Sequence, residues 1–275
     1  NDWLENVYSQ HSIPFDSIFL LRCIPLASLN QLIQPFHEQI DALKEKGFTI
    51  KLCHLQFCLG MIYKFKGEFE KSKELCDESL YFCQKMNIHG MAILNLLQIA
   101  EINLWSGNVK EAEDDAKLAL FNAEQYRLSQ CHLYALWVLS EVYMEQSKYD
   151  QTFLLIEEST KIVEKEHQDA RSTYIYFSMS KYYRLQGDYV NAIKWSAEGT
   201  KNAKKFGNDA DIGIIYLEQA QIYLDLKNIE KADESLKTAL SVITYFSYHK
   251  CIAMLKQLKI FELKNLHVKA SKLKK

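Results

Sequence analysis

Two adjacent Cys-His pairs, Cys53-His54 and Cys131-His132, and an acidic run, Glu111-Ala112-Glu113-Asp114-Asp115, hold the side chains of this chain best suited to a metal ion. Thiolate and imidazole are zinc ligands, but residues adjacent on a helix point about 100° apart, so neither pair offers both groups to one ion. The acidic run, placed on a helix, spreads around its solvated side instead of converging on a cation. Asp, Ser and His are present, yet no motif sets a nucleophile beside its base, and there is no Gly-rich phosphate loop of the GxxxxGK kind. The expectation is a chain that is not an enzyme and needs neither metal nor cofactor.

The 275 residues are 48% hydrophobic and 25% charged, the balance of a folded chain able to bury a sizeable core. Lys and Arg number 33 against 35 Asp and Glu, a formal net charge of -2, which provides no broad basic surface for nucleic acid or anionic membrane. The lysine-rich end, Lys269 to Lys275, reads as the solvated start of a helix rather than a nucleic-acid tail. No uninterrupted apolar run of about 18 residues occurs, and the opening NDWLENVYSQ lacks the basic-then-apolar order of a signal peptide. The first residue is Asn rather than Met, as expected of a piece of a longer chain. Cys23, Cys53, Cys58, Cys76, Cys83, Cys131 and Cys251 form an odd set with no CxxC, mostly among apolar neighbours. They read as buried free thiols of a protein in a reducing, cytoplasmic compartment.

What positions these residues is a period. Gly67, Gly107, Ser147, Gly187 and Lys227 each open a short polar break, 40 residues apart throughout. Seven residues before the break stand Gly60, Ala100, Ser140, Ser180 and Ala220; five after it stand Ser72, Ala112, Thr152, Ala192 and Ala232; twelve after it stand Ser79, Ala119, Ser159, Gly199 and Ala239. Four before the break comes a mostly aromatic column, Tyr63, Asn103, Tyr143, Tyr183 and Tyr223. Apolar residues recur at three- and four-residue steps on both sides of the break and never alternate, so each repeat is two helices joined by a tight turn. The small columns let the two helices approach closely, and the aromatic column fills the wedge between repeats. Gly and Asn228 at the breaks suit a left-handed backbone, and the second helices stop near Asn87, Arg127, His167 and Gly207. The three prolines all precede residue 36, which leaves the helix interiors intact.

These columns resemble the tetratricopeptide repeat, with a 40-residue unit in place of the usual 34 and without the Pro near the repeat end. The longer unit is similar to those of kinesin light chains, rapsyn-like scaffolds and MalT-like or peptide-sensing regulators. The resemblance implies an all-α fold, a right-handed superhelical solenoid of antiparallel helix pairs with about six to seven repeats. It runs over 1–275 as a single repeat domain: a degenerate first repeat at 12–47, with its second helix from about Leu29 to Lys46; five clear repeats over 48–247; and a truncated or capping repeat at 248–275. In that last part Leu263-Lys264-Asn265-Leu266 echoes Leu226-Lys227-Asn228-Ile229.

The family binds partners in the concave groove lined by its first helices. The groove positions it implies here include Glu101 and Trp105; then Tyr134, Trp137, Glu141 and Glu145; then Tyr174, Phe177, Lys181 and Arg184; and Gln221. Aromatics and Arg are the types that most often dominate binding energy. The Lys and Asn clamp by which chaperone-binding members hold a terminal carboxylate cannot be assembled, because the corresponding columns read Phe57, Leu97, Trp137, Phe177, Leu217 and Met61, Glu101, Glu141, Lys181, Gln221. The resemblance thus implies a scaffold that binds a protein or peptide partner; the missing clamp argues against a chaperone tail, and the near-neutral charge against nucleic acid or membrane. The alternative is a ligand- or peptide-sensing regulatory domain of a larger regulator.

If the thiols are buried and reduced, adding reductant leaves the melting temperature unchanged. A drop of many degrees in a calorimetric scan would instead reveal a structural disulfide.

Overall fold

The computed structural model describes residues 26–45, 47, 50–166, 172–206, 209–243 and 252–264, and every regular element among them is an α-helix. In chain order these are α1 (Leu26–Glu45), α2 (Ile50–Lys66), α3 (Phe69–Lys85), α4 (His89–Trp105), α5 (Val109–Gln125), α6 (Ser129–Glu145), α7 (Tyr149–Glu166), α8 (Ser172–Leu185), α9 (Tyr189–Phe206), α10 (Asp209–Asp225), α11 (Ile229–Val242) and α12 (252–264). The first helix of the degenerate repeat, and the residues after 264, lie outside the described residues.

The 40-residue period divides into two equal halves. Each of α2 to α6 has 17 residues, and a residue with positive φ follows each end: Gly67, Asn87, Gly107, Arg127 and Ser147, then Gly187 and Lys227 further on. There the left-handed residue's N–H bonds to the carbonyl three back and the next N–H to the carbonyl five back, as in Gly107 to Leu104 at 3.1 Å and Asn108 to Asn103 at 2.8 Å. This arrangement satisfies carbonyls that a helix end leaves bare and turns the chain sharply enough to start an antiparallel neighbour. At the fifth break it is Lys227, with φ 58, that takes the left-handed backbone, not Asn228, whose side chain caps α11 by accepting from the Lys231 N–H. His167 and Gly207, the other two expected stops, lie outside the described residues. Two further expectations change. Pro35 lies inside α1, so one helix interior does contain proline; and Lys264 is still helical where its sequence echo Lys227 has already entered a turn.

The small columns meet as the period requires. Ser72 Oγ donates to the Gly60 carbonyl at 2.7 Å, and in the same two columns three repeats on, with the donor on the other helix, Ser180 Oγ donates to the Ala192 carbonyl at 2.9 Å. A Cβ on Gly60 would stand 2.9 Å from Gln98 Nε2, 3.0 Å from Cys76 Sγ and 3.3 Å from the Ser72 carbonyl, so a larger residue there would have to push its neighbours aside. Each second helix buries one stripe at steps of four, three and four: Ser72, Cys76, Ser79 and Cys83 on α3, and Ala112, Ala116, Ala119 and Ala123 on α5. The first helices are different. From Met91 to Asn103 every residue of α4 is buried, because α4 packs against its own pair partner and against both neighbouring repeats. The aromatic column sits at that inter-repeat wedge: Tyr63 Oη lies 2.9 Å from His37 Nε2 on α1, and the Lys117 ammonium of α5 lies 5.9 Å from the Tyr143 ring centroid.

Contacts divide the chain into two compact units, with the boundary between Lys148 and Tyr149. In the first, α1 to α6 pack each against the next; in the second, α8 to α11 do the same, with α7 against α8. Among the described residues no helix is long and apolar enough to cross a membrane.

Ala192 and Ala232 are fully buried at the close approach of a helix pair. Replacing either with Leu overpacks that contact and costs about 1–3 kcal/mol in a urea titration, while Leu at the exposed Lys110 changes little.

Candidate functional site

In the first unit three successive first helices contribute to one buried polar chain. Lys64 of α2 and Glu101 of α4 form an ion pair, Nζ to Oε2 at 2.7 Å, with side chains only 1% and 3% exposed. Tyr134 of α6 donates its hydroxyl to the same Glu101 oxygen. Two charges taken this far from water are tolerable only when paired and hydrogen-bonded, and here the carboxylate takes its counter-charge from one side and a neutral donor from the other. The Lys64 ammonium also lies 5.3 Å from the Trp105 ring centroid, close enough for the ring face to help hold the charge. Beside this chain Tyr134 and Trp137 stack at 5.5 Å with their planes 13° apart. Trp105, Tyr134 and Trp137 are each half-buried, Glu141 is buried, and Glu145, at the end of α6, is exposed.

In the second unit the same side of the first helices repeats the device with other residues. Tyr174 Oη donates to Asp211 Oδ1 at 3.0 Å. Arg184 is clasped by two carboxylates of α10, with Nε 2.5 Å from Glu218 Oε1 and Nη1 3.3 Å from Asp225 Oδ2. Burial works against the guanidinium charge, but the Glu218 and Asp225 carboxylates outweigh it and hold its pKa above the usual value. Gln221 bridges onward, donating to Asp225 at 2.8 Å and accepting from Lys256 of α12. Burial pulls the Lys256 ammonium below its ordinary pKa, against the attraction of Glu218. Phe177 and Lys181 are half-buried on α8.

The tetratricopeptide-repeat family model matches residues 214–243, which span α10 and α11. Among solved structures, the chain is similar to NprR in complex with its cognate peptide NprX, with a TM-score of 0.66 at 14% identity over 95% of this chain and 79% of that one. It is also similar to the Rap conjugation gene regulator of the plasmid pLS20 in complex with the Phr* peptide, with a TM-score of 0.65 at 13% identity over 84% and 69%. BtubC from P. vanneervenii gives 0.59 at 15% identity over 78% and 90%. The fold is that of a tetratricopeptide-repeat protein. No curated protein matches the sequence.

Within this tetratricopeptide-repeat frame, the expected groove residues fall into two sets, one in each unit. Glu101, Tyr134, Trp137 and Trp105 lie together around Lys64, while Arg184 and Gln221 lie together around Asp225. Glu101 and Arg184, both among the expected groove residues, are each held by internal counter-charges. Asp211, Glu218 and Lys256 were not expected. A signal for Glu218 was present, because its column otherwise reads Cys58, Gln98, Val138 and Ser178, and a carboxylate among such residues demands a partner.

The metal candidates are placed apart. Among the described residues no group of three or more His, Cys, Asp or Glu could hold an ion. Cys53, Cys58, Cys76, Cys83 and Cys131 are buried free thiols, and burial raises the Cys131 thiol to about 12; Cys23 and Cys251 lie outside the described residues. Burial also pulls the His54 imidazole down to about 4, so it is neutral at pH 7. Of the acidic run, Glu113 bonds to Lys117, Gln146 and Lys148, which hold its carboxyl down at about 2, and Asp115 accepts from Asn103, while Glu111 and Asp114 face solvent.

Substituting Lys64→Met strands the Glu101 carboxylate in the interior and costs about 3–5 kcal/mol in a denaturant titration. Adding Glu101→Met to that variant recovers most of the loss. Equal destabilisation by the single and double variants would show that the pair is not the energetic unit.

Proposed function

We propose that this chain is a non-enzymatic scaffold that binds a peptide or helix of another protein along the inward side of its first helices. The observation that carries the reading is the stacked Tyr134–Trp137 pair beside the internally neutralised Lys64–Glu101 pair. A half-buried aromatic plate can desolvate a partner's apolar anchor without leaving a charge unpaired on either side. Glu145, at the exposed end of α6, would then orient the partner. In the second unit Tyr174, Phe177 and Lys181 hold the corresponding positions of α8, with Arg184 acting mainly to hold its own helices together.

A second reading, a peptide-sensing regulatory domain, draws support from the fact that two structures similar to this one, NprR and the Rap regulator, contain a bound peptide. Their identity to this chain is too low to transfer more than the fold. The five buried free thiols among the described residues favour a reducing compartment under either reading.

Affinity capture with the isolated chain tests the scaffold. Trp137→Ala, or Tyr134→Ala with Tyr174→Ala, weakens retention of the main partner by about 2 kcal/mol or more while circular dichroism stays that of the parent. Substitution of the exposed Glu111 and Asp114 on α5 leaves that same retention unchanged. A folded Trp137→Ala protein that captures like the parent would refute the inward-side assignment.

A further inference from the structure

The second helices of the first unit carry large apolar side chains that helix packing leaves exposed. Tyr81 of α3 and Phe121 of α5 occupy the same place in successive repeats, and both point outward, 51% and 55% exposed; Leu118, one turn before Phe121, is 46% exposed. The chain contains its own control for what packing needs there. The place of Tyr81 and Phe121 is taken by Lys161, Lys201 and Ser241 in the later repeats, and that of Leu118 by Glu78, Glu158, Glu198 and Thr238. Polar residues serve the helix at these places in the other repeats, so helix packing does not require the three large apolar groups, even though the Tyr81 ring meets Phe82 edge-on at 5.1 Å.

Asn103 of α4 joins α3 to α5, accepting from Lys73 at 3.2 Å and donating to Asp115 at 2.9 Å. Exposed carboxylates surround the apolar residues: Glu74 and Asp77 on α3, Glu111, Asp114 and Glu124 on α5. The lysines of this face are partly committed. Lys117 is bound to Glu113 at 2.5 Å, Lys71 to Glu68 at 2.7 Å, and Lys85 lies over the Tyr81 ring at 4.3 Å. An apolar strip with an acidic rim selects its occupant. A second copy would bring the same carboxylates against these, and an anionic lipid surface would be repelled in the same way.

We propose that the outward face of α3 and α5 docks a basic amphipathic helix of a partner protein, with its apolar stripe on Tyr81, Leu118 and Phe121 and its lysines or arginines toward Asp77, Asp114 and Glu124. This face is on the opposite helices from the inward side assigned above, and its occupant is a different segment.

The test uses a fluorescein-labelled helical peptide made only of Leu and Lys, with Leu spaced i, i+3, i+4 and i+7, and a twin in which every Lys is Glu. By fluorescence anisotropy the Leu/Lys peptide binds the parent, and the Leu/Glu twin binds at least about tenfold more weakly. Tyr81→Ser with Phe121→Ser, which borrows the residue of position 241 and adds no charge, weakens the Leu/Lys peptide at least about tenfold with an unchanged circular dichroism spectrum. Trp137→Ala leaves it unaffected. Amide exchange is slowed over α3 and α5 in the complex. Equal binding of the Leu/Lys peptide to the parent and the double Ser variant overturns the proposal, as does equal binding of the two peptides. A dimer in sedimentation that the double Ser variant dissolves overturns it too, since a second copy then covers the face.

Discussion

How near the two helices of a pair can come is the constraint on which the other features rest. Ala112, Ala116, Ala119 and Ala123 on α5 are so small that α4 can settle into the face they form. The same steps on α3 carry Ser and Cys, and on α9 Ala192, Ser196, Gly199 and Ala203. A helix admitted that closely on one side, and pressed by the adjoining repeats on the others, has no solvated face left. That is why α4 reads as an almost unbroken apolar run while α5 reads as amphipathic, although both are 17 residues long.

Neutral polar groups of the first helices reach second helices, as Asn95 reaches Ser79 and Asn103 reaches Asp115, but the carboxylates of Glu101, Asp211 and Glu218 find their partners on another first helix. The separations show how: Lys64 to Glu101, Glu101 to Tyr134, Tyr174 to Asp211 and Arg184 to Glu218 fall 37, 33, 37 and 34 residues apart. One full repeat is 40, so each link joins neighbouring first helices with an offset of one to two helical turns, which is the span a long side chain covers. A buried ion pair of this kind contributes less to stability than its Coulomb attraction suggests, because desolvation offsets most of it. What it supplies is register, since a repeat shifted by a turn leaves a charge with nothing opposite.

The repeat itself was legible because its signal lies in spacing. Forty residues between breaks, small residues at fixed offsets and a 3.6-residue apolar rhythm all follow from backbone geometry, and the chain obeys them five times. The site was legible only as a set of positions. Tyr134, Trp137 and Glu101 were on that list, but nothing local to Glu101 announces that Lys64 and Tyr134 will occupy it, because those contacts depend on how neighbouring repeats are offset. Asp211 and Lys256 escaped for the same reason, and Pro35 because a helix tolerates it where the period alone gives no warning. The turn at Lys227 shows a finer limit: the column marked the break, while the residue type pointed to Asn228.

A repeat protein offers something a single-copy fold does not, which is an internal standard for each position. Where all copies agree, as in the small columns around Gly60 and Ala192, the residue is set by packing and its agreement needs no function to account for it. Where one copy departs from the others, as Leu118 departs from Glu78, Glu158 and Glu198, packing within the repeat does not account for the choice. The inward aromatics pass the same test less sharply. Trp137 stands in a column with Phe57, Leu97, Phe177 and Leu217, all apolar, so its size is partly explained by the core it adjoins. Tyr134 has His54, Leu94, Tyr174 and Ile214 as counterparts, and its hydroxyl answers Glu101. The outward apolar residues of α3 and α5 have no such internal explanation, and departures of this kind mark where a repeat array has been fitted to something outside itself.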